Sequence, residues 1–299
     1  MSALVARVLG AAAGGGFPQW NCACRLCRLA RSGAPGAPPR SQAGMAFSAD
    51  GQHWLLAGAS PDLRQQILDT PALQPRGLRD SPIVAVVLVS ADVDGIAGLL
   101  ALREGQRFTL YAPQPILDVL EANPIFAVLN PARVTRQVLT PGQAQPCGHG
   151  LSATLLAFPG KTPLYQEAPG ATAAVAADTY ALRVEGGGRS ALFAPGCAAL
   201  TPQVCAELAR ADAVFFDGTL FQDDEMIAAG VGEKTGRRMG HVPVSGEGGS
   251  LAVLASLPGQ RFYIHINNTN PLLCAGSPER AQVEQAGVTV CQDGMEIRL

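Results

Sequence analysis

The sequence predicts an α/β fold in which mixed β-sheets are covered by helices. Two observations carry this. Apolar runs around a tight turn mark hairpins at 44–58 ("GMAFSADGQHWLLAG", turning on Asp50-Gly51) and at 179–196 ("TYALRVEGGGRSALFAPG"). Elsewhere strand and helix signals alternate, the pattern of crossover connections. Hairpins and crossovers together exclude an all-parallel sheet.

The elements follow in order. Leu4, Ala6 and Val8 alternate with Val5, Arg7 and Leu9 before a glycine turn, which reads as a first strand. "IVAVVLVS" (83–90) is a buried strand, and "GIAGLLALREG" (95–105) is a short helix ending at Gly105. "RFTLYA" (107–112) is a strand, followed by a helical stretch broken at Pro124. "LSATLLAF" (151–158) is a strand leading to the second hairpin. "TPQVCAELARA" (201–211) is a helix with Thr201 as N-cap and Pro202 at its first position. "AVFFDGT" is a strand ending at Asp217, and "SGEGGSLAVLASLPG" leads into a helix. "RFYIHINNTNP" places His265 within a strand, "SPERAQVEQAG" is a helix capped by Ser277, and "VTVCQDGMEIRL" forms two last short strands. The Pro/Gly loops at 33–40 and 166–171 are too short for domain linkers, so a single domain over 1–299 is expected.

Composition narrows the function. The chain has 299 residues, 47% of them apolar, and a net charge of −2 with no basic block. That excludes a nucleic-acid surface, which needs clustered Lys and Arg. The longest strongly apolar run, 83–89, is far short of the ~18 residues of a membrane span. Arg7 interrupts the apolar N-terminus and no basic segment precedes it, so an export signal is not expected and the expected location is the cytoplasm. Thiols stay reduced there, and the eight cysteines do not argue for disulfides.

Three cysteines, Cys22, Cys24 and Cys27, form a C-x-C-x-x-C run in a loop at about 20–28. This spacing can wrap three thiolates around one tetrahedral zinc ion, with a fourth ligand from elsewhere. Unliganded turn cysteines and a Cys24–Cys27 redox pair are the weaker alternatives. The other cysteines are scattered and read as small packing residues.

Polar residues recur where strands give way to loops, the usual place for sites in α/β proteins. Asp92 and Asp94 follow the 83–90 strand, Asp217 ends another, His241 lies in a loop, and His265 precedes Asn267, Asn268 and Asn270. Singly, each has an ordinary role: a helix cap, a turn, a hydrogen-bonded core histidine. Together, two histidines and three aspartates can converge on a metal.

Longer blocks carry a family resemblance. "GGGFPQWNCACRLC", "ASPDLRQQI", "LQPRGLRDSPI", "DVDGIAGLLALREGQ", "VFFDGTLFQDDEMIAAGVGEKTGRRMGH", "HINNTNPLL" and "DGMEI" run in order along almost the whole chain. They resemble the B family of pyrroloquinoline quinone (PQQ) biosynthesis, in the metallo-β-lactamase superfamily. The resemblance implies an αββα sandwich of two mixed sheets flanked by helices, and a structural zinc on Cys22, Cys24 and Cys27. Asn268 matches the position of a histidine that completes this zinc site in a related cyclic phosphodiesterase, and Asp293 is a second candidate for the fourth ligand.

The superfamily's H-x-H-x-D-H motif corresponds to Ser90–Gly95, and the next histidine position is Lys161. Asp92, Asp94, His241 and His265 are the retained matches. The two-metal hydrolase centre is therefore not expected, and at most one weaker site remains. On paper His241, His265 and Asp92 or Asp94 supply a 2-His-1-carboxylate set for Fe(II).

The resemblance implies either of two functions. One is an iron-dependent oxygenase, an oxidoreductase that hydroxylates the tyrosine ring of the cross-linked Glu–Tyr precursor, with Arg103, Lys161, Arg237 and Arg238 as candidate cations for its carboxylates. The other is a non-catalytic carrier of PQQ or its precursor that aids transport to the periplasm. The expected partners are that small peptide-derived precursor and other proteins of the pathway. A generic hydrolase is the least favoured reading.

Overall fold

A computed structural model describes residues 3–163, 165 and 176–299. The expected loop at 166–171 lies outside these. The first sheet contains β1 (Val5–Gly10), β2 (Gly44–Ser48), β3 (Trp54–Ala57), β4 (Ile83–Val87), β5 (Phe108–Ala112), β6 (Val134–Val138) and β14 (Glu296–Arg298). Its order is β14-β1-β2-β3-β4-β5-β6. The second contains β7 (Gln145–Gly148), β8 (Leu151–Gly160), β9 (Ala176–Gly186), β10 (Arg189–Ala194), β11 (Ala213–Asp217), β12 (Gln260–Ile264) and β13 (Thr289–Val290). Its order is β13-β12-β11-β10-β9-β8-β7.

Both sheets are mixed. β1, β2 and β3 pair antiparallel, and β3 to β6 pair parallel. β7 to β10 pair antiparallel, and β10 to β13 pair parallel. The hairpins expected at 44–58 and 179–196 are β2–β3 and β9–β10.

Strand parity decides what packs where. Phe215 of β11 and Phe262 of β12 point between the sheets and stack with centroids 4.7 Å apart, in a core shared with Met45, Leu55 and Val86 of the first sheet. Val214, Phe216 and Tyr263 point outward, under helices α5 (Pro202–Ala209), α7 (Ser250–Ser256) and α8 (Pro278–Gln285). Each fully buried phenylalanine contributes about 1.5–3 kcal/mol. Thr201 caps α5 by accepting from the Val204 amide, and Ser277 caps α8 by accepting from Arg280.

Some elements differ from the expectation. After helix α2 (Leu63–Asp69), the 95–105 helix is one turn, α3 (Val93–Ile96), followed by a 3-10 stretch at Ala97–Leu102, and α4 (Gln114–Ala122) follows β5. There Gly98 lies against Ser60, with no room for a Cβ. His265 is one residue past β12, in the left-handed region at φ 59°, not within the strand. The edge strands β6 and β7 were not expected. "VTRQV" is polar and "QPCG" carries a proline, which is how sheet edges resist further pairing.

Candidate metal centre and cavity

The ends of β4, β11 and β12 meet at one end of the sandwich, around a cavity of about 460 Å³. Asp217 lies beneath two residues that line it, Thr219 and His241. Its position on β11 has the parity of Phe215, so it points toward the other sheet, and it is fully buried. Four donors satisfy it. Oδ2 accepts from the Cys197 amide at 2.9 Å and from His241 Nδ1 at 2.8 Å. Oδ1 accepts from the Thr219 amide at 3.1 Å and the Thr219 hydroxyl at 2.6 Å. A carboxylate this buried is stable only when so paired.

His241 follows a 3-10 turn, Arg237–Met239, closed by Gly240 at φ 84°, a conformation that favours glycine. Its ring stacks on that of His265, with centroids 5.4 Å apart. With Nδ1–H given to Asp217, its Nε2 is left as an acceptor.

His265 Nδ1 lies 2.8 Å from the Thr219 hydroxyl, and its Nε2 lies 3.3 Å from Asp94 Oδ2. The hydrogen-bond network assigns the tautomer. The Thr219 hydroxyl donates to Asp217, so it accepts from His265 Nδ1–H. The Nε2 lone pair then faces a carboxylate, an arrangement that requires a proton or a cation between them. Two donors each about 2.1 Å from one ion and at right angles stand about 3 Å apart, so the donor set fits a metal. Without one, burial depresses the His265 pKa, but its bond to Asp94 and the charges of Asp94, Asp217 and Asp92 raise it overall. Asp94 is half-buried, yet the same bond holds its carboxyl below the usual range. Asp92, at the N-cap of α3, is pushed up by burial and then by Asp94, with Lys161 opposing the rise.

Of the four cations expected near substrate, Lys161 lines the cavity. Arg103 bonds the Leu100 carbonyl and pairs with Glu104, and Arg237 bonds the Glu247 carbonyl. Neither these two nor Arg238 is among the lining residues.

The cysteine run forms a second cluster. Cys24 caps α1 (Arg25–Arg31), its Sγ accepting from the Cys27 amide. The Asn268 side-chain nitrogen sits 3.2, 3.8 and 3.3 Å from Sγ of Cys22, Cys24 and Cys27. A flip of that amide, indistinguishable by shape, presents its oxygen at the same place. Asp293 lies elsewhere, its oxygens accepting from the amides of Ala11 and Ser41. Burial pushes the Cys27 thiol up to about 11, so an ion there must displace its proton.

Two residues were not singled out by sequence reasoning. Thr219, whose hydroxyl touches Asp217 and both histidines, has only its place two residues past a strand-end aspartate as a signal. Glu225 opens the one-turn helix α6 (Glu225–Ala228) and accepts from the Phe221 amide at 2.8 Å and the Thr269 hydroxyl at 2.6 Å. It thereby ties together the loops that carry Thr219 and His265. Burial raises its pKa from 4.5 to about 7. A carboxyl raised on folding binds more protons in the native state, so the contribution of Glu225 to stability is fully present below pH 4.5 and is lost as pH rises through 7. Glu225→Gln is expected to gain in melting temperature on wild type between pH 5 and 7.5. A constant difference across that range would rule the carboxyl out as the source.

The Beta-lactamase superfamily domain model matches residues 53–266. Coenzyme PQQ synthesis protein B of Methylobacterium radiotolerans is 51% identical over 98% of this chain and 99% of its own length. That of Gluconacetobacter diazotrophicus is 54% identical over 97% of this chain and 98% of its own. This chain belongs to the coenzyme PQQ synthesis protein B family. A solved family structure, Zn(2+)-bound PqqB from Methylobacterium extorquens, superposes with a TM-score of 0.95 at 49% identity, covering 99% of this chain and 100% of that one. A diphosphatase of the PhnP family superposes at 0.69 with 19% identity over 99% and 98%, a likeness of fold alone. The family's two-sheet sandwich is the architecture described above, and membership assigns the chain to PQQ biosynthesis at the level of the pathway.

Proposed function

We propose that this chain catalyses a metal-dependent hydroxylation of the tyrosine-derived ring of the cross-linked Glu–Tyr precursor of PQQ. One observation supports this above all: His265 Nε2 and Asp94 Oδ2 lie 3.3 Å apart in the cavity, close enough to share one ion, beside His241 and Asp217. His241, His265 and Asp94 would hold Fe(II) as a 2-His-1-carboxylate set, with Asp217 and Thr219 orienting the rings. When bound, such an ion supplies activation of O2. One oxygen atom enters the ring and the other leaves as water, with two electrons from an external reductant.

The chain's own groups do the rest. Val93, Phe193, Met226 and Met239 give the cavity apolar walls that hold an aromatic ring and exclude water. Lys161 takes a carboxylate of the precursor. Asp92, which lines the cavity and is held above the usual carboxylate range by burial and by Asp94, takes the proton released from the ring carbon. A structural zinc sits on Cys22, Cys24 and Cys27 with Asn268 as fourth ligand. Its three thiolates suit the reducing cytoplasm. Among the described residues no helix is long and apolar enough to cross a membrane.

A second reading has its own support. Gly95 offers no ligand to the cavity it lines, and Lys161 brings a fixed positive charge into it. Both weaken metal binding and favour a carrier of PQQ or its precursor. The test is metal content by element on protein purified without added metal and again after anaerobic Fe(II) loading, followed by turnover with precursor and O2. One zinc, one added iron and a hydroxylated product are expected. Precursor or PQQ bound tightly and recovered unchanged by iron-loaded protein would overturn the oxygenase and establish the carrier. Gly95→His sharpens the assignment. Its Cβ would meet Ser90 Oγ at 3.0 Å, which the hydroxyl relieves by rotating. Iron per chain should rise and zinc stay constant. Unchanged iron would mean that the site is not beside Asp94.

A further inference from the structure

The four histidines of this chain divide between two places. His241 and His265 serve the cavity. His53 and His149 lie at the other end of the sandwich. β3 runs parallel to β4, and β8 lies parallel to β10 and β11 across the antiparallel β9. The β2–β3 turn and the β7–β8 turn therefore stand at the starts of strands whose parallel neighbours end at the cavity. The first turn belongs to one sheet and the second to the other.

The two turns touch because their contact residues are small. A Cβ at Gly186 would come within 3.2 Å of Ala49 Cβ, and one at Gly150 within 3.5 Å. This contact brings three polar side chains together. Asp50 uses Oδ1 for its own turn, accepting from the amides of Gln52 and His53, both at 2.8 Å, and from Ser48 Oγ at 3.2 Å. Oδ2 is left for the imidazoles. His53 Nδ1 lies 2.7 Å from it, and His149 Nδ1 lies 4.0 Å from it. The two rings stack with centroids 3.6 Å apart and planes 18° apart. One atom from each of the three residues falls within 4.8 Å of the others. His149 holds a left-handed backbone at φ 52°, between Gly148 and Gly150. That conformation is unfavourable for histidine and is retained here, where it aims the ring at Asp50.

We propose that Asp50, His53 and His149 form a metal site for a borderline divalent ion such as zinc, separate from the cavity and from the thiol cluster. Two imidazoles and a carboxylate select such ions over magnesium or calcium, which prefer all-oxygen sites. Each imidazole lone pair lies in its own ring plane, so an ion shared by both rings and Asp50 turns one ring out of the stack while it neutralises the carboxylate. The side chains are 36–40% exposed, so the ion enters from solvent and water completes its shell. Its effect is mechanical. It joins a turn of one sheet to a turn of the other and clamps the end of the sandwich that the cavity does not occupy.

The test is equilibrium dialysis of the purified protein against zinc, comparing wild type with His53→Gln and with His149→Asn. Asparagine is chosen because it tolerates the left-handed backbone. Wild type should retain one more zinc per chain than either variant, and its melting temperature should rise with zinc by more than theirs. The thiol and cavity sites are common to all three proteins and cancel. His53→Gln reads the same loss if His149→Asn fails to fold. Equal zinc content and equal zinc-dependent melting in wild type and His53→Gln would overturn the site.

Discussion

Cys24→Ala is expected to lose one zinc per chain and to melt about 10 °C below wild type, about 8 °C from the ion and about 2 °C from the helix cap. The magnitude follows from linkage. An ion present at about a thousand times its dissociation constant stabilises the native state by about 4 kcal/mol. A chain of this length shifts by roughly 2 °C per kcal/mol. An ion on this proposed site would stabilise by joining separate parts of the chain: Cys22, Cys24 and Cys27 at the start of α1, and Asn268 in the loop after β12, where His265 lies. The same substitution removes the α1 cap, worth about 1 kcal/mol. Zinc analysis and calorimetry separate the two effects. Unchanged zinc with a fall of about 2 °C would mean that only the cap was lost.

Asp217→Asn is expected to weaken the cavity metal by about 10–100-fold and to leave the thiol zinc in place. The asparagine oxygen can keep the Thr219 contacts. Its NH2 group would then face the Cys197 amide and His241 Nδ1–H, both donors, where the carboxylate accepts. His241 would lose its tautomer and its aim. Leaving the buried Cys197 amide unpaired adds about 1–3 kcal/mol of destabilisation. The measurement is Fe(II) affinity by anaerobic titration alongside zinc content. Iron affinity equal to wild type, with a lowered melting temperature, would reduce Asp217 to a structural brace for the 217–219 turn.

Much of the architecture was legible because it rests on local patterns. The β2–β3 and β9–β10 hairpins show as apolar runs around turn residues, and α5 and α8 show by their Thr201 and Ser277 caps. The edge strands were not legible, since "VTRQV" and "QPCG" are polar or proline-bearing for the same reason that they are edges. His265 read as part of a strand because its neighbours alternate, while its left-handed backbone depends on contacts with Thr219 and Asp94.

The candidate site was legible in part. Chemistry-bearing residues at strand ends could be listed one by one, and family resemblance ordered them. Asp217 was visible as a strand-end aspartate, but its place beneath His241 depends on two loops 24 residues apart in the chain. Thr219 has no pattern of its own. Asn268 and Asp293 were both open as the fourth ligand in the sequence; the fold sets one beside the sulfurs and the other on the amides of Ala11 and Ser41.

By itself the sequence determined the α/β class, the strand ends that bear polar residues, the thiol cluster and the family. These rest on spacing along the chain, which backbone periodicity and turn chemistry convert directly into local structure. Only the tertiary structure decided that His265 faces Asp94, that Lys161 alone of the four expected cations lines the cavity, and that His53 meets His149. Those contacts join residues far apart in the chain, and their geometry depends on how the two sheets pack face to face.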